Sequence, residues 1–559
     1  MSGRLVDRAL SRYQRWEAQP NPLWIRELRQ SARLSRTPVI LAVVTILMTT
    51  IIVSVGGAVS TESSPATTGM VIFQLFFSMA YLVVTLVGPA VAANSIASER
   101  EGHTWEAVLL TGLSPATIAR GKFLAAFTQI GMYVVMLAPV GALAFLFGGV
   151  TATEVVLAFA GLFLLALLGV AFGLAISSKM ASLRAALLVT LLLAFPLGVL
   201  AFLVFGPWLS VAAHRAWPGV PEGPPIWLPA AYERAPFDAS YVVCLGILPL
   251  LAVVLPAWFL HEVTVANLSG ETDDRSSGLK RWFLFAAPAL TLTAAFPLAA
   301  AATVSERAGA SLAALSALFL FFVGAVFLFA GEPLGPSRRV VVQWDRRGAG
   351  AMRRFLGPGV MRSAALLLVV GGAGLGALAA VALVMTSAAS GALSTDTVSV
   401  LLYAAYALAF YVFVVGLGAF LRAGASSPLV ARVLLLAVIF GVSVAPWVVA
   451  LVAGVMRERG LDHDVLMLAA PSPFYVFAML GTVSSAAGDL QLGAGVAAMA
   501  GWATLGLVLL RAAGRRCGAI LRAEEARRAE SDRRLAAEDE AAAARGVLRD
   551  EAAEEDALG

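Results

Sequence analysis

The sequence predicts an all-α polytopic membrane protein. Hydrophobic residues make up 59% of the 559-residue chain and charged residues only 13%, whereas globular domains are roughly 45–50% apolar even when glycine is counted. The mean hydropathy is +0.85. Apolar runs of about 18 or more residues recur along most of the chain, and each can cross a hydrocarbon core about 30 Å thick. A membrane β-barrel would instead show alternating segments of about ten residues.

We predict twelve transmembrane helices in two sets of six. The first set covers about 39–57, 70–93, 124–147, 153–176, 185–206 and 241–260. The second set covers about 283–302, 310–330, 363–386, 398–421, 433–455 and 490–510. The segment 465–488 is either a further span or a re-entrant or interfacial hairpin, and its Pro471 and Pro473 favour the hairpin.

The distribution of basic residues predicts that both termini are cytoplasmic. With the amino terminus inside, the predicted cytoplasmic segments hold 35 of the 40 Lys and Arg residues. Inverting the topology would reverse this ratio, against the positive-inside rule.

The loop lengths predict an internal repeat of topology. Segment 1–38 is either a helix lying in the membrane interface, because leucines are interspersed with arginines there, or an ordinary positive-inside flank. A six-helix unit (39–260), a second six-helix unit (261–510) and a charged tail (511–559) follow. Parallel six-helix halves with a substrate path between them are one transporter architecture. The tail is either a solvated helix with i, i+4 ion pairs or a disordered segment.

A charged, amphipathic insert interrupts the first half at 98–115. Ser98 and Glu101 form a capping-box pattern that predicts a helix start. Trp105, Val108 and Leu109 then share one helical face.

The same insert contains the signals for a break and a second helix. Gly112 is a plausible helix stop, and Ser114 with Pro115 predicts an N-cap and first-turn proline. The insert is thus predicted to form a short helix, a break and a new helix that enters the membrane. This arrangement is typical of a helix that is presented to a cytoplasmic partner.

No catalytic or energy-coupling motif is present in the sequence. Gly121-Lys122-Phe123 lacks the upstream glycine and the hydroxyl residue of a P-loop. The assigned span interiors hold no ionisable residue of the kind that marks ion coupling. We therefore predict no enzyme activity, metal, cofactor or nucleic-acid partner for this chain.

The remaining polar residues form no recognisable site. Cys244, Cys517 and the histidines lack disulfide or metal-ligand spacing. The long external loop carries several polar residues among prolines, and we interpret it as a rigid loop over an exit path. Its polar residues are His214, Glu222, Glu233, Arg234 and Asp238, and its prolines are Pro218, Pro221, Pro224 and Pro225.

Over residues 20–150 the chain resembles the permease subunits of type-2 ABC exporters. The resemblance depends on five motifs in the family's order: Asn21-Pro22 with Arg26-Glu27, Glu99-Arg100-Glu101-x-x-Thr104-x-Glu106, Leu109-Leu110-Thr111, Leu113-Ser114-Pro115, and Gly121-Lys122. Ser472-Pro473-Phe474-Tyr475 is similar to the family's last external loop. The loop 331–362 lacks the Glu-rich pattern, and His103 stands where a small residue is common.

The resemblance implies a bacterial inner-membrane exporter subunit driven by a separate ATP-binding subunit, which acts as a dimer and binds ATP and Mg²⁺. Segment 98–115 would be the coupling helix. Its glutamates would contact basic residues of the partner, and Trp105 and Leu109 would be buried against it. The implied docking residues are Glu99, Arg100, Glu101, Thr104, Trp105, Glu106, Leu109, Ser114 and Pro115; those of the elbow helix, which segment 1–38 would form, are Asn21, Pro22, Arg26 and Glu27.

Two other classes of function stay open on the sequence. An ion-coupled secondary transporter would work without any ATPase. A non-transporting membrane scaffold would let a related ATPase act on other proteins. The substrate and the pairing with a second copy or a second permease are open as well.

Overall fold

The structure, a computed structural model, describes residues 21–32, 36–223, 227–346, 348–390, 394–456, 463–483 and 489–558. Within these ranges the chain forms helices and no strands. Eleven helices are long and apolar enough to cross a membrane, and the number becomes twelve if one bent pair counts as a single span. The chain is thus an all-α polytopic membrane protein.

The contacts divide the chain into two units, Met1–Trp282 and Phe283–Gly559. The division falls within one helix, Ser277–Ala300. The sequence analysis placed the boundary between the units after residue 260. The structure places it 22 residues later, so that 261–282 belong to the first unit. All six spans predicted for the first half of the chain lie within the unit Met1–Trp282.

The first unit is built around one long helix, Pro65–Glu101. This helix packs against three later spans, Pro115–Met136, Ala152–Ser177 and Leu183–Leu200, and the first two of these also contact Leu248–Leu268. In chain order the helices are α1 (Pro22–Ala32), α2 (Arg36–Ser60), α3 (Pro65–Glu101), α4 (Trp105–Leu110), α5 (Pro115–Met136), α6 (Ala138–Gly141), α7 (Leu143–Phe147), α8 (Ala152–Ser177), α9 (Leu183–Leu200), α10 (Gly206–Ala216), α11 (Trp227–Arg234), α12 (Ala239–Tyr241) and α13 (Leu248–Leu268). We call the end of this unit at which α1 lies the proximal end, and the other the distal end.

The predicted span 124–147 is a bent helix. Helix α5 ends at Met136 and the chain turns by 41° into α6 and α7. Pro139 lies in the first turn of α6, where it cannot donate the hydrogen bond that would continue α5. Gly141 permits the bend to pack, because a Cβ there would lie 2.6 Å from the Phe76 ring.

Two spans of the first unit contain π-helical segments. Ala201–Phe205 joins α9 to α10, and Val242–Ile247 joins α12 to α13. The continuous helix Leu183–Ala216 is therefore longer than the predicted span 185–206. π-Segments inside helices are rare and often mark functional sites.

The second unit begins inside α14 (Ser277–Ala300) and contains a further six-helix set when α14 is included. Its other helices are α15 (Val304–Phe329), α16 (Arg338–Arg346), α17 (Ala351–Phe355), α18 (Val360–Leu366), α19 (Gly372–Ser390), α20 (Thr395–Gly424), α21 (Pro428–Met456), α22 (His463–Leu466), α23 (Tyr475–Val483) and α24 (Asp489–Leu558). A π-segment, Leu367–Gly371, links α18 to α19.

Four pairings between spans of the first unit recur between the spans of equal rank in the second. In the first unit the second span contacts the third and fourth, and the fourth contacts the fifth and sixth. The second unit repeats each of these pairings, with α20 as its fourth span. The loop-length repeat seen in the sequence thus extends to which helices touch within each unit.

Two uncertain segments of the sequence have defined structures. Segment 465–488 is not a continuous span, because α22 and the 3₁₀ turn Met467–Ala469 end before Pro471 and α23 begins only at Tyr475. The tail continues the last span as part of α24, with exposed i, i+4 pairs such as Glu524 with Arg528 and Glu530 with Arg534. The tail is therefore the solvated helix of the two alternatives.

Helices α20 and α24 touch through their backbones, and this contact yields a stability prediction. A Cβ on Gly416 would lie 2.2 Å from the Gly506 carbonyl oxygen, too close for any real atom. We expect Gly416→Ala to force the helices apart and to lower the thermal unfolding temperature in detergent by several degrees.

Gly376→Ala is the matched control, because nothing lies within 4 Å of a Cβ at Gly376. It should leave the unfolding temperature unchanged or raise it slightly, since alanine is better than glycine in a helix by about 0.8–1.0 kcal/mol. Equal effects of the two substitutions, measured by circular dichroism, would contradict the backbone contact.

Candidate functional site

The short helix α4 lies at the proximal end between two spans. Helix α3 ends at Glu101, and the chain turns through Gly102 and His103, whose φ of 55° lies in the left-handed region. After α4 a second turn at Gly112, with φ +71°, leads to the next span. These two turns set α4 off from the spans on either side.

The start of α5 confirms the capping prediction. The Ser114 hydroxyl accepts a hydrogen bond from Thr117 N at 3.2 Å, and Pro115 occupies the first turn. The prediction at Ser98 is wrong. Ser98 lies inside α3, and its hydroxyl donates to the Asn94 carbonyl one turn earlier instead of capping a new helix. The apolar periodicity of the span continues through Ser98, and the capping-box pattern did not override it.

One face of α4 is buried and the other is exposed. Val108 is 2% exposed and packs into the core of the unit, and Trp105 is half-buried against the same core. Leu109 is 46% exposed and Leu110 87% exposed. With the exposed Glu106, they form what we call the α4 surface.

Four charged side chains form a cluster beneath α4. The Lys122 ammonium has no exposed surface and lies 2.8 Å from Glu99 Oε2 and 3.1 Å from Glu27 Oε1. It also donates to the Ser95 carbonyl at 2.9 Å. Arg26 closes the cluster with 2.8 Å to Glu99 Oε1. Two positive and two negative charges balance, which makes burial of Lys122 tolerable.

The amino-terminal helix is held to α5 by a second set of contacts next to the cluster. Asn21 donates from Nδ2 to the Thr117 carbonyl at 2.9 Å, and its Oδ1 accepts from Leu23 N at 3.1 Å. Asn21 therefore caps α1 while it binds α5. Gly121 permits the close approach, because a Cβ there would lie 2.7 Å from Asn21 Oδ1.

The structure corrects the roles predicted for two of the three glutamates. Glu99 is 8% exposed and binds cations of this chain, so it belongs to the buried cluster and not to the docking surface. Glu101 accepts a hydrogen bond from Leu183 N at 2.7 Å and joins α3 to the start of α9. Glu106, by contrast, is exposed and makes no hydrogen bond or ion pair with the residues that the structure describes.

Arg100 and Thr104 also make contacts within this chain. Arg100 donates to the Met180 carbonyl at 3.0 Å, and its guanidinium lies 5.5 Å from the centre of the Trp105 ring. Thr104 donates to the Glu99 carbonyl at 3.3 Å. Trp105 is thus held by a cation–π contact and core packing, which leaves Leu109 and Leu110 as the more accessible apolar groups.

A polar cavity of about 600 Å³ adjoins the cluster. Its walls come from α1, α3 and α5 and include Glu99 and Lys122, together with the Gln129–Tyr133 hydrogen-bonded pair. The charged lining residues bind one another across α1, α3 and α5, so the arrangement holds these three helices together.

The distal end holds an ion pair between a buried carboxylate and an exposed guanidinium, which the sequence analysis missed. Glu154 has no exposed surface; it forms a capping box with Thr151 and lies 2.8 Å from Arg234. It falls within the assigned span 153–176, so the statement that the span interiors hold no ionisable group is wrong there. The signal was Thr151-x-x-Glu154, a capping box that the analysis did not test.

The other polar residues of the long loop have local structural partners. His214 Nδ1 lies 2.7 Å from the Val220 carbonyl oxygen, and Asp238 caps α12 through Tyr241 N at 2.7 Å. Glu233 accepts from the Thr151 hydroxyl. Pro224 and Pro225 lie outside the described residues.

In the second unit Ser472 and Tyr475 of the Ser472–Tyr475 motif are buried, whereas Phe474 is exposed. The Ser472 hydroxyl donates to the Ser443 carbonyl at 2.7 Å and accepts from Trp447 Nε1 at 3.0 Å. Tyr406 donates to the Ser472 carbonyl at 2.9 Å. The motif thus joins the 465–488 segment to two spans.

A scan against models of protein families matches none of them, and searches of the curated proteins and of the solved structures find no match either. Within the described ranges, no group of three or more His, Cys, Asp or Glu side chains is placed to hold a metal ion.

The buried cluster predicts a large cost for removing its cation. Lys122→Met leaves Glu27 and Glu99 with Arg26 alone, and breaking a buried ion pair from one side costs about 3–5 kcal/mol. We expect that loss in the free energy of unfolding, measured by denaturing-detergent titration with far-ultraviolet circular dichroism.

Two further variants give the control and the rescue. Lys179 is exposed, so Lys179→Met should change the free energy of unfolding by no more than about 0.5 kcal/mol. Adding Glu99→Gln to Lys122→Met should recover part of the loss, because it removes an uncompensated charge. Equal effects of Lys122→Met and Lys179→Met would rule out the cluster as a source of stability.

Proposed function

We propose that this chain is the permease subunit of a type-2 ABC exporter in a bacterial inner membrane, with its proximal end cytoplasmic. In this proposal the chain forms the translocation path. A separate ATP-binding subunit, acting as a dimer, binds ATP and Mg²⁺ and supplies the energy. The chain itself carries no P-loop.

One observation carries the proposal. Residues from three of the five motifs, up to 95 positions apart in sequence, meet in one place. Arg26 and Glu27 of α1 bind Glu99 and Lys122, and Asn21 binds the first turn of α5. A sequence resemblance due to chance would not be expected to join its parts in a single buried cluster.

The contacts give the proposed mechanism a physical basis. Helix α4 is joined through one short turn to α3 and through another to α5, and the cluster binds both spans to α1. A force applied to α4 therefore reaches α3 and α5 through rigid connections. Closure of the ATP-binding dimer against α4 would tilt these spans, a rigid-body change of the kind that transporters use.

The α4 surface provides the proposed contact with the partner. Exposed Leu109 and Leu110 would be buried against it, and Glu106 would pair with a basic residue. Apolar residues near the centre of an interface with a charged residue at its edge are the usual arrangement of a binding hot spot. Trp105 and Arg100 support this surface from below.

An ion-coupled transporter is the second candidate, and buried Glu154 is the observation that favours it, because ionisable groups within spans mark proton or ion pathways. Against this, Glu154 lies in the first turn of α8 and is paired with Arg234. Both contacts are structural, because Glu154 also accepts a hydrogen bond from Thr151 N at 3.0 Å and so fixes α11 to the start of the span.

The docking proposal predicts loss of the partner when the α4 surface is changed. We expect the double variant Glu106→Arg, Leu110→Asp to bind the ATP-binding subunit encoded beside this chain at least about 30-fold more weakly, the equivalent of a hot-spot loss of ~2 kcal/mol. Binding and stimulated ATP hydrolysis of the purified pair in detergent measure this.

Leu535→Arg is the matched control. Leu535 is 57% exposed on the tail helix, so the substitution adds a charge at another exposed leucine, away from the α4 surface. It should leave binding and hydrolysis unchanged. If no ATP-binding subunit copurifies with the wild-type chain, or if the double variant binds as well as Leu535→Arg, the exporter proposal fails. Uptake into liposomes driven by an ion gradient, abolished by Glu154→Gln, would establish the second candidate instead.

A further inference from the structure

A second cavity lies within the first unit, toward the distal end. Its volume is about 310 Å³, at the lower end of the ~300–1,000 Å³ range of small-molecule sites. Spans α3 and α8 and the π-segment after α9 form its walls, and helix α11 contributes Trp227 and Tyr232. It shares no lining residue with the polar cavity at the proximal end.

The lining of this distal cavity is apolar. None of its described lining residues is charged, and its two tyrosines already use their hydroxyl hydrogens. Tyr81 donates to the Gly198 carbonyl at 3.2 Å, and Tyr232 donates to the Leu245 carbonyl. A polar ligand would lose its hydration there without matching hydrogen bonds, which is costly. The cavity therefore favours a hydrocarbon occupant.

The cavity reaches the exposed surface of α8. Ala160 and Leu164 of α8 line it and are also exposed on the surface of the described chain. Both lie in the middle of a span, at the depth of the hydrocarbon layer. The occupant can thus enter sideways from the bilayer without crossing water.

Two structural features maintain the cavity. Ala201–Phe205 is π-helical, and Ala201 and Phe202 of this segment line the cavity. Helix α11 covers one side and is fixed to the start of α8 by the Glu154–Arg234 pair. The ion pair missed by the sequence analysis thus holds in place a helix that lines the cavity.

We propose that the distal cavity binds one acyl chain of a bilayer phospholipid. The inference does not depend on the proposed exporter function. Its apolar lining, its lateral opening at span depth and the helix fixed beside it together match an acyl chain that remains attached to a headgroup at the distal membrane surface.

Photolabelling in liposomes tests this proposal. The full chain is reconstituted in phosphatidylcholine that contains a small fraction of phosphatidylcholine with a diazirine on one acyl chain. After irradiation, digestion and mass spectrometry, we expect adducts on 157–165 and 227–232. Gly161→Leu should reduce them several-fold, because Gly161 lines the cavity and a Cβ there has nothing within 4 Å.

Gly57→Leu is the matched control, since Gly57 is an exposed span glycine with equally open space and does not line the cavity. It should label as wild type does. Ala160→Phe is a second variant that should block the cavity. Ala160 lies at the exposed rim, so the larger side chain can be accommodated without disturbing the core. This variant too should reduce the adducts.

Three results would overturn the proposal. The first is a wild-type chain without adducts on the two segments. The second is labelling that neither Gly161→Leu nor Ala160→Phe reduces while both variants remain folded by circular dichroism. The third is labelling of the segments by a free diazirine fatty acid but not by the phospholipid, which would identify a free fatty acid as the occupant.

Discussion

The proximal end of the first unit depends on the burial of one positive charge, that of Lys122. An ammonium without exposed surface is stable only when its charge is compensated and its hydrogens are accepted. Glu99 and Glu27 supply the charge, and the Ser95 carbonyl supplies a further acceptor. Because the two carboxylates come from α3 and α1, compensation of this charge requires three helices to meet at one point. The position of α4 follows from that meeting.

The fold class was predictable because it depends on composition and run length. Any helix in hydrocarbon must satisfy its backbone internally, so long apolar runs determine helices whatever their neighbours. The breaks were less predictable. The bend after Met136 arises from Pro139, which the analysis placed inside an uninterrupted span, and the continuation of α3 through Ser98 shows that a span can overrun a capping signal.

For the candidate site, the sequence indicated the segment but not which of its side chains face inward. Sequence patterns identified which residues matter at the proximal end, including Glu99 and the Gly121-Lys122 pair, but they carry no information on direction. A glutamate in an amphipathic helix is as consistent with a solvent-facing contact as with a buried one. Only the position of α1, set by Asn21 and by the missing Cβ of Gly121, decides that Glu99 points inward. Long-range partners of this kind leave no local pattern.

Two ion pairs of the first unit, each with a buried charge, solve the same physical problem at opposite ends. At the proximal end Lys122 ties α1 to the spans, and at the distal end Glu154 ties α11 to α8. In each case an ion pair fixes a helix that lies outside the spans to one of the spans. Separating the two helices would leave a buried charge without its partner. Such a contact is either fully made or costly to break. Both outer helices are therefore expected to move with their spans as rigid parts, which is what transmission of a motion through α4 requires.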